Sequence, residues 1–179
     1  DQGQTGLCGP YRVPKYDVRI CAIGDVDESN ALCGQACFLA KDNNLEIARL
    51  LEHVQHDLFD LGADLAQPIK EGEEEGQKLR IQVSQVEALE QQIDHFNENL
   101  HPLQSFILPG GGQLAVSLHM ARSVVRRAER SVSLCTQTET LNPEVLRYLN
   151  RLSDLLFVLA RAANQNGQKD VLWKPGKNR

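Results

Sequence analysis

One stretch, HMARSVVRRAER (119–130), concentrates most of the chain's chemical capacity. Arg122, Arg126, Arg127, Glu129 and Arg130 crowd one helix-forming segment. At about 100° per residue, Leu114, Leu118, Ala121, Val125, Ala128 and Val132 fall on one arc, whereas His119, Arg122, Arg126, Glu129 and Arg130 fall on an adjoining arc. Arg127 lies further round. The charge therefore borders the core instead of opposing it. Two readings follow. The stripe is a salt-bridged solvent face, or it clamps a polyanion. Arginine suits the second role because its planar fork matches phosphate oxygens in bidentate fashion. A later segment has a similar problem. Leu149, Leu152, Leu156 and Leu159 form its core face, and Asn150, Asp154, Phe157 and Arg161 lie opposite. A phenylalanine on a polar face is a stray aromatic or a covered surface. The covered surface implies an oligomer that sandwiches this face between subunits.

Other candidates for chemistry are weaker. His53, His56 and Asp57 stand about one helical turn apart, but such a trio on a solvent face is more often only polar than metal-binding. The five cysteines (8, 21, 33, 37 and 135) contain no CxxC pair and are odd in number, which argues against a disulfide framework or a structural zinc. Cys33 and Cys37 read as small core residues of a reducing compartment. No P-loop motif occurs, and the chain does not offer the Glu-x-x-His pairs on two helices of a di-iron bundle.

The elements that must hold these residues are helical. The 179 residues suffice for one domain with a sizeable core, and Leu, Ala, Gln and Glu dominate over aromatics. A net charge of −5 argues against a general nucleic-acid role, and no apolar run is long enough to span a bilayer. Residues 1–20 read as an ordered loop or short extended arm. A first helix is expected from Asp25 or Asp27 to Ala40, and a second from Asn44 to Ala66, stopped by Pro68. A polar loop, KEGEEEGQK (70–78), follows and reads as solvent-exposed. A third helix is expected over Ser84–Leu100 with Ser84 and Glu87 as a capping box. After the Pro109–Gly112 break, a fourth helix runs to Val132. The fifth starts with Asn142 as cap, Pro143 at the first helical position and Glu144 in the first turn, and it ends near Asn166 before Gly167. Strand signals are weak everywhere except Val18–Ile23. Five helices with short connections predict an all-α antiparallel bundle. The chain starts at Asp1 without a methionine, so an upstream stretch is expected.

Five segments, in order, resemble the PduO-type ATP:cob(I)alamin adenosyltransferases over nearly the whole chain: DQGQTGLCG with RVPK, GDVDESNALCG, LFDLGADLA, FILPGGGQLAVSLHMARSVVRRAER, and YLNRLSDLLFVLAR. The resemblance implies a five-helix bundle that assembles as a homotrimer with active sites between subunits. The implied reaction transfers the 5′-deoxyadenosyl group of ATP to the cobalt of a reduced corrinoid, forming adenosylcobalamin and releasing triphosphate. Mg²⁺ is expected with ATP, with K⁺ as a further ion. A cobalamin-dependent mutase or dehydratase is an implied partner. The implied location is the cytoplasm, or the mitochondrial matrix if an upstream targeting segment has been removed.

By matching motif positions, the resemblance assigns Gly3, Gln4 and Thr5 to a phosphate-wrapping loop within residues 1–20, and Lys15 to a position facing ATP. Arg126, Glu129 and Arg130 belong to the nucleotide site, with Arg126 closest to the phosphates and Glu129 orienting an arginine or a metal-bound water. Asn150 contacts the nucleotide from the fifth helix. Asp27 and Arg122 form a salt bridge across the subunit interface. Phe106 lies on the corrinoid side, in a wall that displaces the lower axial ligand, and Asp154 lies near that pocket. Four residues depart from the family pattern: Gln2, Pro10, Ser29 and Cys33. A second reading makes the chain an ATP- and cobalamin-binding escort without turnover, and a third a non-catalytic helical module.

Overall fold

The structure is a computed structural model, and it describes residues 2–9, 12–70, 72–74 and 76–179. Pro10 therefore lies outside the described residues. Five helices dominate the rest: α1 (Val18–Lys41), α2 (Leu45–Leu65), α3 (Val83–Asn97), α4 (Gln113–Cys135) and α5 (Pro143–Ala163). They pack in the spatial order α2, α1, α4, α5, α3 around one apolar core. Two short antiparallel pairs complete the fold. β1 (Gln4–Gly6) pairs with β2 (Arg12–Pro14), and β3 (Ile107–Leu108) pairs with β4 (Val171–Leu172).

The first helix starts earlier than its sequence suggests. Val18–Ile23 is helix, not strand, because the Asp17 side chain accepts the Arg19 N–H at 2.9 Å and caps the new end. Arg19 is only 1% exposed. It pairs with Glu139 beyond α4 and donates to the Leu65 carbonyl, so tertiary contacts override local β preference. The buried face of α1 is small: Ala22, Val26, Cys33, Ala36, Cys37 and Ala40. Small side chains let α2 and α4 approach it closely. Of the family departures, Ser29 is buried and donates to the Asp25 carbonyl at 2.8 Å, and Cys33 is fully buried.

The α5 cap is the one expected, and α2 is capped by the residue at its expected start. Asn44 accepts the Ile47 N–H and Asn142 the Glu144 N–H, each at 3.1 Å. The α3 cap is different. Gln82 and Gln85, not Ser84 and Glu87, form the reciprocal box, and α3 stops at Asn97. At the glycine break, Gly111 has φ +102°, and a β-carbon there would collide with the Asn164 amide. That amide holds the turn at both ends, accepting from the Gly112 N–H and donating to the Gly110 carbonyl, each at 3.1 Å.

A single carboxylate organises the end of the bundle where α2 stops and α3 and α5 begin. Asp64, 2% exposed, accepts from Arg80 at 2.7 Å, the Ile81 N–H at 2.9 Å and Asn142 at 2.8 Å. Arg80 also pairs with Glu73 at 2.8 Å. Glu73 is thus a structural anion inside the acidic loop that its composition marks as solvent-exposed. Replacing Asp64 with Ala leaves three donors facing an apolar stub, and a loss of about 3–5 kcal/mol of unfolding free energy is expected. Urea denaturation measures this. A loss under about 1 kcal/mol would contradict the central role of this carboxylate.

Candidate functional site

The arginines of α4 divide by partner. Arg127 bonds Asp25 at 3.0 Å and also pairs with Glu28, both on α1, which makes it a strut of the fold. Arg122 lies with its guanidinium carbon 5.4 Å from the centroid of the Phe157 ring. Burial, and then the neighbouring Arg126, lower its proton affinity. Arg126 and Arg130 instead line a groove of about 800 Å³ between α3, α4 and α5. Arg130 donates to the Arg126 carbonyl at 2.9 Å. The Arg126 guanidinium has no hydrogen-bond or ion-pair partner among the described residues.

Glu129 and Asn150 line the same groove. The Asn150 amide donates to Glu129 at 2.9 Å, and its oxygen accepts from Arg151 at 2.7 Å. Glu129 thus holds the asparagine, and no arginine pairs with it among the described residues. Arg147 and Arg151 of α5 and Glu90 of α3 also line the groove. Sequence reasoning missed all three, because which side chains of separate helices share a groove is not written in one helix's periodicity. The four lining arginines outnumber the two lining glutamates, so the groove is cationic within an acidic chain. It matches a polyanion.

Other expected residues stand elsewhere. Gly3 has φ +72°, and its carbonyl accepts the Lys15 N–H at 2.9 Å where the β1–β2 pair opens. Gln4 and Thr5 are in β1, opposite Pro14 and Val13. None of these residues lines the groove. Their pair is fastened to the α2 end by the Cys8 N–H, which donates to the Ala66 carbonyl at 3.1 Å. Asp27 is exposed beside an apolar hollow of about 450 Å³ between α1 and α2, near Phe59. Within one chain no ion pair joins Asp27 and Arg122 among the described residues.

Phe106 is 78% exposed and meets Trp173 edge to face, with centroids 6.0 Å apart. Asp154 lies one turn beyond Asn150 on α5 and faces Arg151 at 3.4 Å. Arg161, placed by helical spacing on the polar face opposite the leucines, turns inward instead. It is buried, bonded to Asp170 at 2.9 Å and to the His101 carbonyl at 2.8 Å. Its counter-ion sits in the segment after α5, beyond the reach of helical periodicity. His53, His56 and Asp57 border a hollow against α3, yet both Asp57 oxygens are engaged, one by Gln85 at 2.7 Å and one by Tyr148 at 2.9 Å. No group of three or more metal-binding side chains occurs among the described residues, and no described helix is long and apolar enough to cross a membrane.

A family model described as cobalamin adenosyltransferase matches residues 1–163. A corrinoid adenosyltransferase of Mycobacterium tuberculosis strain H37Rv is 48% identical over 181 aligned residues, spanning 100% of this chain and 92% of that protein. The corrinoid adenosyltransferase of Bacillus subtilis strain 168 is 39% identical, over 97% of this chain and 89% of its own. Among solved structures, a variant PduO-type ATP:corrinoid adenosyltransferase from Lactobacillus reuteri, complexed with cobalamin and ATP, superposes with a TM-score of 0.89. It is 37% identical and covers 98% of this chain and 94% of its own.

His119 adds a pH response. It is 4% exposed, its Nε2 has no hydrogen-bond partner among the described residues, and its ring packs against Phe157 at 6.2 Å. Burial, and then Arg122, pull its pKa below the ordinary 6.5, partly opposed by Asp170. The unfolded chain therefore takes a proton that the fold resists. Stability from this residue is complete above the ordinary value and is lost as pH falls through the lowered one. Thermal unfolding of His119→Leu should show a shallower loss of Tm between about pH 7 and pH 5 than the parent. Equal slopes would rule out His119 as a source of that decline.

Proposed function

The chain belongs to the cobalamin adenosyltransferase family, and from that premise we propose how its own residues carry the reaction. It is an ATP:corrinoid adenosyltransferase: ATP supplies the adenosyl group and a reduced corrinoid accepts it. We read residues 1–179 as one domain, with 1–20 as its nucleotide-binding region. The observation that carries the site reading is the cationic groove, with Arg126, unpartnered among the described residues, beside the fixed Glu129–Asn150 pair.

In this reading the cobalt–C5′ bond forms as the C5′–O5′ bond breaks, and triphosphate leaves with the electron pair. The substrate supplies the nucleophile, so the protein's tasks are placement and charge stabilisation. Arg126 stabilises the negative charge that grows on the leaving group, where a preorganised cation is most effective. Arg130 adds a second cation. Asn150, held by Glu129 and Arg151, orients the nucleoside end. Mg²⁺ arrives with the triphosphate, since the groove's two carboxylates, Glu90 and Glu129, suit an ion held mainly by substrate phosphates. We assign K⁺ no residues.

Gly3, strand β1 and Lys15 lie with the α1–α2 side, whereas the groove belongs to α3, α4 and α5. We therefore place each active site between subunits of a homotrimer, with the N-terminal strand pair of one copy closing the groove of the next. Asp27 would meet Arg122 of the neighbouring copy, and the apolar hollow beside Asp27 would be covered in the same contact. Phe106 faces the corrinoid, with Asp154 between it and the nucleotide. The product would pass to a cobalamin-dependent mutase or dehydratase. Action in the cytoplasm accords with the bacterial relatives.

The test is an anaerobic mixture of the protein, ATP, Mg²⁺ and chemically reduced cobalamin. Loss of the cob(I)alamin absorbance should match adenosylcobalamin and triphosphate formed; ATP binding without transfer would refute the reaction. Arg126→Ala should lower kcat by on the order of 10²-fold while circular dichroism stays unchanged. An unaltered rate would remove Arg126 from the leaving-group role. Asp27→Asn should weaken both assembly and activity, read by analytical ultracentrifugation beside the assay. A fully active, stable oligomer would exclude the interfacial bridge.

A further inference from the structure

We propose that the segment after β4 forms an anion subsite for the phosphodiester of a corrinoid that carries a lower nucleotide loop, with Lys174, Lys177 and Arg179 as its cations. The inference rests on the reading that Phe106 faces the corrinoid. Two hydrogen bonds and a ring contact anchor the segment to Phe106 and its neighbour Ser105. The Trp173 N–H donates to the Phe106 carbonyl at 2.8 Å, Ser105 donates to the Trp173 carbonyl at 2.9 Å, and the two aromatic rings meet edge to face. Wherever Phe106 meets its ligand, the residues after Trp173 are held beside it.

The segment lines a hollow of about 650 Å³. Its walls mix apolar side chains (Leu108, Val171, Trp173) with the three cations. No side-chain hydrogen bond or ion pair engages these cations among the described residues. Residues 171–179 contain no acidic side chain, and Asp170 is itself consumed by Arg161 and Asn164. A net charge of −5 for the whole chain makes this a local reversal of sign. Cations beside an exposed aromatic pair suit a large apolar body that bears a single anion. That describes a corrinoid with its phosphodiester better than it describes ATP. The ATP groove is also distant: Arg161, which holds the base of the segment through Asp170, lies about three helical turns beyond Asn150, roughly 16 Å along α5.

The subsite would set substrate preference among corrinoids. Cobalamin carries the phosphodiester, and cobinamide lacks it. The full chain and its Lys174→Ala/Lys177→Ala variant are compared in steady-state turnover with each reduced corrinoid. The cobalamin KM should rise roughly 5- to 10-fold in the variant, and the cobinamide KM should move less than about 2-fold. Lys177→Glu should raise the cobalamin KM further. In the parent, added salt should weaken cobalamin more than cobinamide. Equal effects on both corrinoids, or an effect on the KM of ATP instead, would overturn the subsite. Phe106→Ala separates the two layers. If it impairs both corrinoids while the lysine variants show no preference, the subsite falls and the Phe106 reading stands. If it impairs neither, the Phe106 reading falls and takes the subsite with it.

Discussion

The groove depends on a buried carboxylate that never touches it. Asp64 closes α2, and its oxygens receive the backbone of Ile81 just before α3 and the side chain of Asn142, the cap of α5. One ionised group thus sets where two of the three groove-lining helices begin. A displaced start would rotate the face each presents, because one residue on a helix is about 100°. Val86 and Glu90 lie within two turns of the α3 start, and Leu146, Arg147 and Asn150 within two turns of the α5 start. They are close enough to inherit the position of their caps with little room for drift. Burying Asp64 is tolerable because Arg80 compensates its charge and because Arg80 is in turn shared with Glu73.

Charge on α4 follows a division of labour that its sequence alone blurs. Adjacent arginines, 126 and 127, have opposite fates because a 100° step separates them. Arg127 reaches α1 and spends its charge on Asp25 and Glu28. Arg126 finds no such partner and keeps its charge for the groove. Arg122 is desolvated against Phe157, and a guanidinium in that setting gains from an aromatic face and from any carboxylate brought to it. The cost of placing like charges along one helix is thereby met by α1 at Arg127 and by an aromatic ring at Arg122, and Arg126 is left facing the groove.

Legibility in the sequence followed the range of the determining interaction. The start of α5 was plain, since Asn142, Pro143 and Glu144 are all local signals. So was the apolar stripe of α4, every member of which is buried. The start of α1 was not, because Arg19 is held by Leu65 and Glu139, far along the chain. The α3 cap was misread because an S-x-x-E pair and a Q-x-x-Q pair overlap by two residues, and Asp64 at Ile81 selects the earlier one. Helical spacing puts Arg161 opposite the core, and its burial escapes that reading because Asp170 lies outside its helix. The recognisable motifs singled out Arg126, Glu129, Arg130 and Asn150, which do share one groove. Arg147, Arg151 and Glu90 join them only through packing between helices.

A substrate-borne nucleophile explains why the protein can leave its own reactive groups unused. Cys33 is fully buried, with its thiol pushed up to about 12 by burial first and by Cys37 second. The neighbouring Cys37 and the distant Cys135 are likewise raised, chiefly by burial. Thiols held in that way are packing groups, since the thiolate is the nucleophile. His119, the one imidazole of α4, is kept neutral by burial and then by Arg122, and is poorly placed to take a proton near neutral pH. What remains available in the groove is fixed positive charge and a clamped amide. Those are the groups a reaction needs when its bond-making electrons come from one substrate and its departing negative charge belongs to the other.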